Sequence, residues 1–387
     1  MEKIKLGDLC KPSAGQIKED EDTLIDYIDI SSVDNETKKV TGYQTITFGE
    51  APSRARKAVK RGNVLVSTVR PNLNAVALLE EDTPNVSVAS TGFCVLESKD
   101  DVDPRFILNF CKSKPFIDDM VSQATGASYP AVSDKIVRSA LVPKYSYQEQ
   151  RHISTVLDKL AGIIDDRRIE LQQLDDLIKA QFVELFGDPE LNPMRWTESK
   201  LSEKLDVIGG YAFKSEEFDE EDGIPVLRIG NVNSGFFKPV NMVYWKEDED
   251  LERYAIYPGD LVMSLTGTVG KDDYGNVCIL GDAYPKYYLN QRNAKLEIKE
   301  GLDKFYLSQL LKFESIKKKL TGISRGVRQA NIANRDIQNL VVPIPPMENQ
   351  IQFTDFVKQV DKSKAAVQKS LTETQKLFDS LMQEYFG

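Results

Sequence analysis

The chain has little of what enzymes use most. One histidine, His152, stands among 387 residues, which removes Ser-His-Asp triads and multi-histidine metal sites; placed ahead of a long apolar repeat, it reads as a solvated helix-start residue. The four cysteines, Cys10, Cys94, Cys111 and Cys278, lie far apart with no CxxC pair, so neither a zinc site nor a disulfide framework is expected and all four read as reduced core residues. No stretch reaches the roughly 18 apolar residues of a membrane span, and MEKIKLGDLC has no apolar h-region. No membrane partner and a cytoplasmic location are therefore expected. A methyltransferase is disfavoured too: Asn192-Pro193-Met194 lacks the second proline and the aromatic of an Asn/Asp-Pro-Pro-aromatic loop, and no Gly-rich strand-to-helix turn offers a nucleoside cofactor site.

An excess of positive charge is also missing. The formal net charge is -10, which at first argues against nucleic acid. Its distribution weakens the objection, because half of the excess falls within residues 146–190. Elsewhere positive charge is clustered, at Arg54, Arg56, Lys57, Lys60, Arg61 and Arg70 and again at Lys317, Lys318, Lys319, Arg325, Arg328 and Arg335. Local patches decide whether a face can meet phosphate.

What the chain does have is a repeat at a displacement of 200 residues. Val142-Pro143 recurs as Val342-Pro343, Gln150 as Gln350, and Phe186-Gly187 as Phe386-Gly387. A repeat this long is two domains in tandem rather than a solenoid. After each Gln runs an apolar seam in steps of four and three. The first is Ile153, Leu157, Leu160, Ile164, Arg167, Leu171, Leu174, Ile178, Gln181 and Leu185. The second is Phe353, Val357, Val360, Lys364, Val367, Leu371, Thr374, Phe378, Leu381 and Tyr385. Such a/d seams predict long helices. Where one seam is polar the other is apolar, as at Arg167 and Val367 or Lys364 and Ile164, which favours pairing of the helices over two independent amphipathic helices.

Connectivity makes the pair antiparallel. Gly187-Asp188-Pro189 stops the first helix where a second head begins, and Pro345-Pro346 starts the second helix where that head ends. From Ile153 to Leu185 the rise of 1.5 Å per residue gives a rod of roughly 48 Å. The heads read as short strands with turns: apolar runs at Leu24–Ile30, Val64–Val69, Val86–Leu96, Pro225–Ile229, Asp260–Leu265 and Val277–Leu280, and helices near Pro104–Lys112 and Leu302–Lys319. The expected fold is α+β: two globular heads separated by a pair of long antiparallel coiled-coil helices with pseudo-twofold symmetry. The expected boundaries are a first head at 1–145, a first helix at 146–190, a second head at 191–343 and a second helix at 344–387.

This arrangement resembles the specificity subunit of Type I restriction-modification systems. The resemblance covers essentially the whole chain and is strongest in the helical regions and in Gly62-Asn63-Val64-Leu65 and Gly259-Asp260-Leu261-Val262. Two departures stand out: Asn349 where the family has the Glu of a Glu-Gln pair, and Asn63 where it has the Asp of Gly-Asp. The resemblance implies that each head is a target recognition domain reading one half of a bipartite double-stranded DNA site. The helices would set the spacer and dock two modification subunits, and a restriction and translocation subunit would complete the complex. The chain itself would be non-catalytic and hold no cofactor or metal, with S-adenosylmethionine, ATP and Mg2+ on the partner subunits.

Base reading needs Arg, Asn, Gln, Ser or Thr in fixed geometry, and phosphate anchoring needs Lys, Arg and hydroxyls. Two loops per head combine these types. In the first head they supply Ser67, Thr68, Arg70, Asn72 and Asn74, then Gln123, Ser128 and Tyr129. In the second they supply Ser264, Thr266, Thr268 and Lys271, then Ser324, Arg325, Arg328, Gln329 and Asn331. Arg54, Arg56, Lys57, Lys60 and Arg61 are candidate phosphate anchors; alternatively they form a short basic helix facing solvent. The residues expected to pair the helices are Ile153, Leu157, Leu160, Ile164, Leu171, Leu174, Ile178, Val357, Val360, Val367, Leu371, Phe378 and Leu381.

Two rival readings belong to other classes. Asp82 with Glu97-Ser-Lys99, and Asp282 with Glu297-Ile-Lys299, match an acid plus Glu-x-Lys pattern that could hold Mg2+ for phosphodiester cleavage. The second rival is a coiled-coil scaffold that binds no DNA.

Overall fold

The computed structural model describes residues 2–12, 16–322 and 329–387. The chain divides into two compact units, Met1–Ile169 with Gln368–Gly387, and Glu170–Val367. Each holds one head and parts of both long helices, and each is α+β.

The head of the first unit has a four-stranded sheet in the order Gln44–Thr47, Leu24–Ile28, Val86–Ser90, Ala55–Ala58, in which Leu24–Ile28 and Val86–Ser90 run parallel. Beside it Val76–Leu78, Asn63–Ser67 and Phe93–Glu97 form an antiparallel sheet. Asn63–Ser67 is buried at every position, the environment that a continuous apolar run requires. The run Val86–Leu96 is two strands, because the turn at Thr91-Gly92 carries the chain from one sheet to the other.

The head of the second unit repeats this plan. Val243–Trp245, Ile224–Leu227, Tyr287–Leu289 and Ala255–Ile256 form the mixed sheet, with Ile224–Leu227 parallel to Tyr287–Leu289. Leu205–Gly209, Asn293–Ile298, Leu261–Ser264 and Val277–Ile279 form the antiparallel one. The helix expected over Leu302–Lys319 is two helices, Lys304–Lys312 and Glu314–Thr321. Phe313 between them is extended, and its ring packs 5.0 Å from that of Phe182.

The two long helices are Tyr147–Phe186 and Met347–Phe386. Glu149 accepts hydrogen bonds from the Ser146 backbone N–H and hydroxyl, both at 2.7 Å, a capping box at the helix start. The departure at Asn349 follows directly. The residue matching Ser146 is Pro346, which has no N–H to cap. The departure at Asn63 is equally conservative: its side-chain oxygen accepts the Lys60 N–H at 3.1 Å, as the Asp260 carboxylate accepts the Tyr257 N–H at 2.8 Å.

The repeated glutamines join helix to head. Gln150 Oε1 accepts the Asp103 N–H at 3.1 Å while its amide donates to the Tyr145 carbonyl at 3.0 Å. Gln350 makes the equivalent bonds to Asp303 and Pro345, both at 2.7 Å. Both glutamines are buried, and Asp103 and Asp303 in turn cap the helices that follow them.

In the first unit Ile153 and Leu157, from the start of one long helix, share a cluster with Met382 and Phe386 from the end of the other. In the second, Ile178, Phe182 and Phe186 share a cluster with Phe353, Val357 and Val360. Within each unit the helices thus meet with opposite polarity. Ile164 and Val367 are buried on the seam, and Leu160, Leu171, Leu174, Leu371, Phe378 and Leu381 are half-buried on it. Lys364, a polar seam residue, pairs with Asp175 of the facing helix at 2.6 Å.

The heptad register shifts by one residue at the end of each long helix; in the second, Met382 and Phe386 are buried more fully than the seam residues Leu381 and Tyr385. In the first, the four-and-three spacing places Gln181 and Leu185 on the seam, yet Phe182 and Phe186 are the buried residues there. At this end the helix packs on the head as well as on its partner. The Phe182 ring stacks 5.3 Å from Tyr306, and Phe186 meets Tyr306 at 4.9 Å. A surface that must cover both neighbours is wider than a coiled-coil seam, and i+4 spacing supplies it.

Candidate nucleic-acid interface

In both heads the two loops singled out by composition lie side by side. In the first, Val69 and Thr125 each bridge to Ala131, and the Arg70 N–H donates to the Pro130 carbonyl at 2.7 Å. Arg70 and Asn74 both take left-handed backbone angles around the turn Pro71–Leu73, a conformation that Asn tolerates better than most residues. The Arg70 guanidinium lies 4.8 Å from the ring centroid of Tyr129, which is 68% exposed. Arg70, Asn72, Gln123, Ser128 and Tyr129 are all exposed, with Gln123 donating to Asp119 at 2.8 Å.

In the second head the loops form a short antiparallel ribbon, Thr266–Thr268 against Gln329–Asn331, with Thr266 opposite Asn331 and Thr268 opposite Gln329. Asp273 fixes its turn by accepting the Thr268 N–H at 2.8 Å and the Thr268 hydroxyl at 2.9 Å. The Thr268 N–H holds the Asp273 carboxyl below the usual range, and the hydroxyl adds to it. Gly267 makes this possible, since a Cβ there would stand 2.3 Å from the Asp273 carboxylate. Lys317 pairs with Asp272 and donates to Asn276 at 2.6 Å, tying the loop to the helix Glu314–Thr321. Lys271 and Asn331 are exposed and Thr266 is half-buried. Ser324, Arg325 and Arg328 lie outside the described residues.

Several candidates are placed where they cannot read DNA. Ser67, Thr68, Asn74 and Ser264 are buried. Their side chains bond to the backbone: Ser67 to Val69, Thr68 to Gly92, Asn74 to Cys111 and Ser264 to Asn276. Loop composition marked them, but they build the turns on which their neighbours stand.

The basic cluster is corrected as well. Ala55–Ala58 is a strand, not a helix. Lys57 is spent internally, on Asp134 and the Phe93 carbonyl, both at 2.6 Å. Arg56 lies 5.0 Å from the Phe48 ring and donates to the Ala55 carbonyl. Arg54 pairs with Asp29 at 2.8 Å and Lys60 with Glu97 at 3.1 Å, although both remain largely exposed. Arg61 is exposed, while its N–H serves Asp82 at 2.7 Å.

The acid plus Glu-x-Lys pattern acquires a different role. Glu97 sits between Lys60 and Lys11, each at 3.1 Å, and these two ammonium groups hold its carboxyl below the usual range. Lys299 pairs with Asp206 at 2.7 Å. These charges are committed to one another at strand ends.

Sequence reasoning missed the residues that position the loops: Gly267, Asp273 and Lys317. The Thr-Gly-Thr spacing before two aspartates was the available signal for a closed turn.

Residues 193–375 match the family model of the Type I restriction modification DNA specificity domain. The chain is 28% identical to the Type I restriction enzyme MjaVIII specificity subunit of Methanocaldococcus jannaschii, over 62% of this chain and 60% of that protein. It is 26% identical to the EcoBI specificity subunit of Escherichia coli, over 45% of this chain and 35% of that protein. These matches thus span less than two thirds of either relative. The fold is similar to that of the Type I restriction-modification S subunit from M. genitalium, with a TM-score of 0.59, 14% identity, and 100% and 96% of the two chains covered. The resemblance read from the sequence is borne out: residues 193–375 of this chain are similar to the Type I restriction modification DNA specificity domain.

Proposed function

We propose that this protein is the DNA-recognition subunit of a Type I restriction-modification complex. Each head reads one half of a bipartite site in double-stranded DNA. The paired long helices set the unspecified spacer and dock two modification subunits, with a restriction subunit completing the assembly. The chain performs no chemistry; S-adenosylmethionine, ATP and Mg2+ act on the partner subunits.

One observation carries this reading. Two heads built on one plan, the second with Leu205–Gly209 as an added edge strand, each bring a pair of polar loops together at the same place, and the side chains exposed there differ. A shared scaffold with different exposed donors and acceptors is what two readers of different half-sites require. The test is replacement of Thr268, Lys271 and Asn331 by alanine in the complex with its modification subunits, followed by selection of bound duplexes from a random pool. The second half-site is expected to change and the first to stay as it was. Altered preference in both halves, or in neither, contradicts the reading.

A further inference from the structure

The turn Asn290-Gln291-Arg292 matches Ser90-Thr91-Gly92 at the 200-residue displacement, and the two turns are built alike. The Thr68 N–H donates to the Gly92 carbonyl at 2.8 Å, and the Leu265 N–H to the Arg292 carbonyl at 2.8 Å. The Gly92 N–H donates to the Ser90 hydroxyl at 3.3 Å, and the Arg292 N–H to the Asn290 side-chain oxygen at 3.2 Å. Ser67 pairs with Phe93 as Ser264 pairs with Asn293. One framework therefore presents Thr-Gly in the first head and Gln-Arg in the second.

The second turn is held firmly. The Gln291 N–H donates to the Tyr211 carbonyl and the Asn293 N–H to the Asn290 carbonyl, both at 2.9 Å. Gly210 lies so close that a Cβ there would stand 2.3 Å from the Asn290 carbonyl. Gln291 and Arg292 are exposed, and their side chains have no hydrogen-bond or ion-pair partner among the described residues. Leu265, which the turn holds, directly precedes the ribbon strand Thr266–Thr268. A cavity of about 610 Å³ opens beside the turn, lined also by Phe213, Arg228 and Asn241.

We propose that Gln291 and Arg292 are specificity-determining residues of the second head, reading purine bases of its half-site. The proposal rests on the DNA-recognition function and adds a third recognition segment to the two loops. Arg and Gln have the donor and acceptor geometry to engage guanine and adenine in bidentate fashion. A backbone fixed by four hydrogen bonds positions them as flexible loop residues would not be.

The test is the double variant Gln291→Thr with Arg292→Gly, which imports the residues of the first head, assembled with the modification subunits. Bound duplexes are selected from a random pool. Base preference at one or two positions of the second half-site is expected to disappear, with affinity for the parental site falling about 10- to 100-fold. The first half-site, the spacer and the remaining positions of the second half-site should persist, and the last of these shows that the second head of the variant is folded. Arg292→Lys separates reading from charge: it should lose the base preference while keeping the salt dependence of binding. An unchanged motif at unchanged affinity overturns the proposal. So does uniform weakening across all sequences with a shallower salt slope, the mark of a phosphate contact. A parental complex without any sequence preference would instead overturn the function beneath it.

Discussion

At the residue scale the repeated glutamines are the joints of the molecule. Gln350 is fully buried and serves the Asp303 N–H and the Pro345 carbonyl together. Gln350→Ala leaves both groups without a partner, each at about 1–3 kcal/mol. Urea unfolding of the variant should show that loss, whereas substitution of the exposed Gln352 should show none. Glu97 offers a pH test. Its carboxyl is depressed by Lys60 and Lys11, so the stability it contributes is present above the ordinary glutamate range and disappears as pH falls through its folded-state value. The thermal midpoint of Glu97→Gln should therefore lie below that of the parent at neutral pH and approach it in acid. A constant difference would show that the pair contributes nothing through charge.

At the element scale the ribbon of the second head depends on a glycine. Gly267→Ala would press on Asp273 and Tyr274 and release the Thr268 turn. We expect weakened preference in the second half-site, an intact first half-site, and a stability loss of about 1–3 kcal/mol. The selection assay reads the first two effects and chemical unfolding the third. The same scale shows what the sequence made legible. The long helices and buried strands were readable because their apolar periods are local, as in Asn63–Ser67 and the seam from Ile153 to Ile178. Phe182 and Phe186 were not, because their burial is set by Tyr306 and Phe313 more than a hundred residues away. The loops were located by composition, but composition could not distinguish an exposed Asn72 from a buried Asn74 two residues on. That distinction depends on the Cys111 carbonyl, which only the fold brings near. The Gln291-Arg292 turn lies within the repeat but carries no local signal, because its partner at the 200-residue displacement is the pair Thr91-Gly92.

At the scale of the whole molecule the proposed function makes the helices a ruler and the heads its two readers. Adding one heptad at matched positions in both long helices should lengthen the unspecified spacer and leave both half-sites unaltered, because whole heptads preserve the seam. Mapping of bound sites would register the change; a spacer of unchanged length would show that the helices do not set it. Two-headed reading is tested directly by the map of methylated bases in a host carrying this gene together with its modification subunit. The expected result is one motif made of two specified halves around a spacer of fixed length. A single continuous motif, or methylation without any recurring sequence, would contradict it.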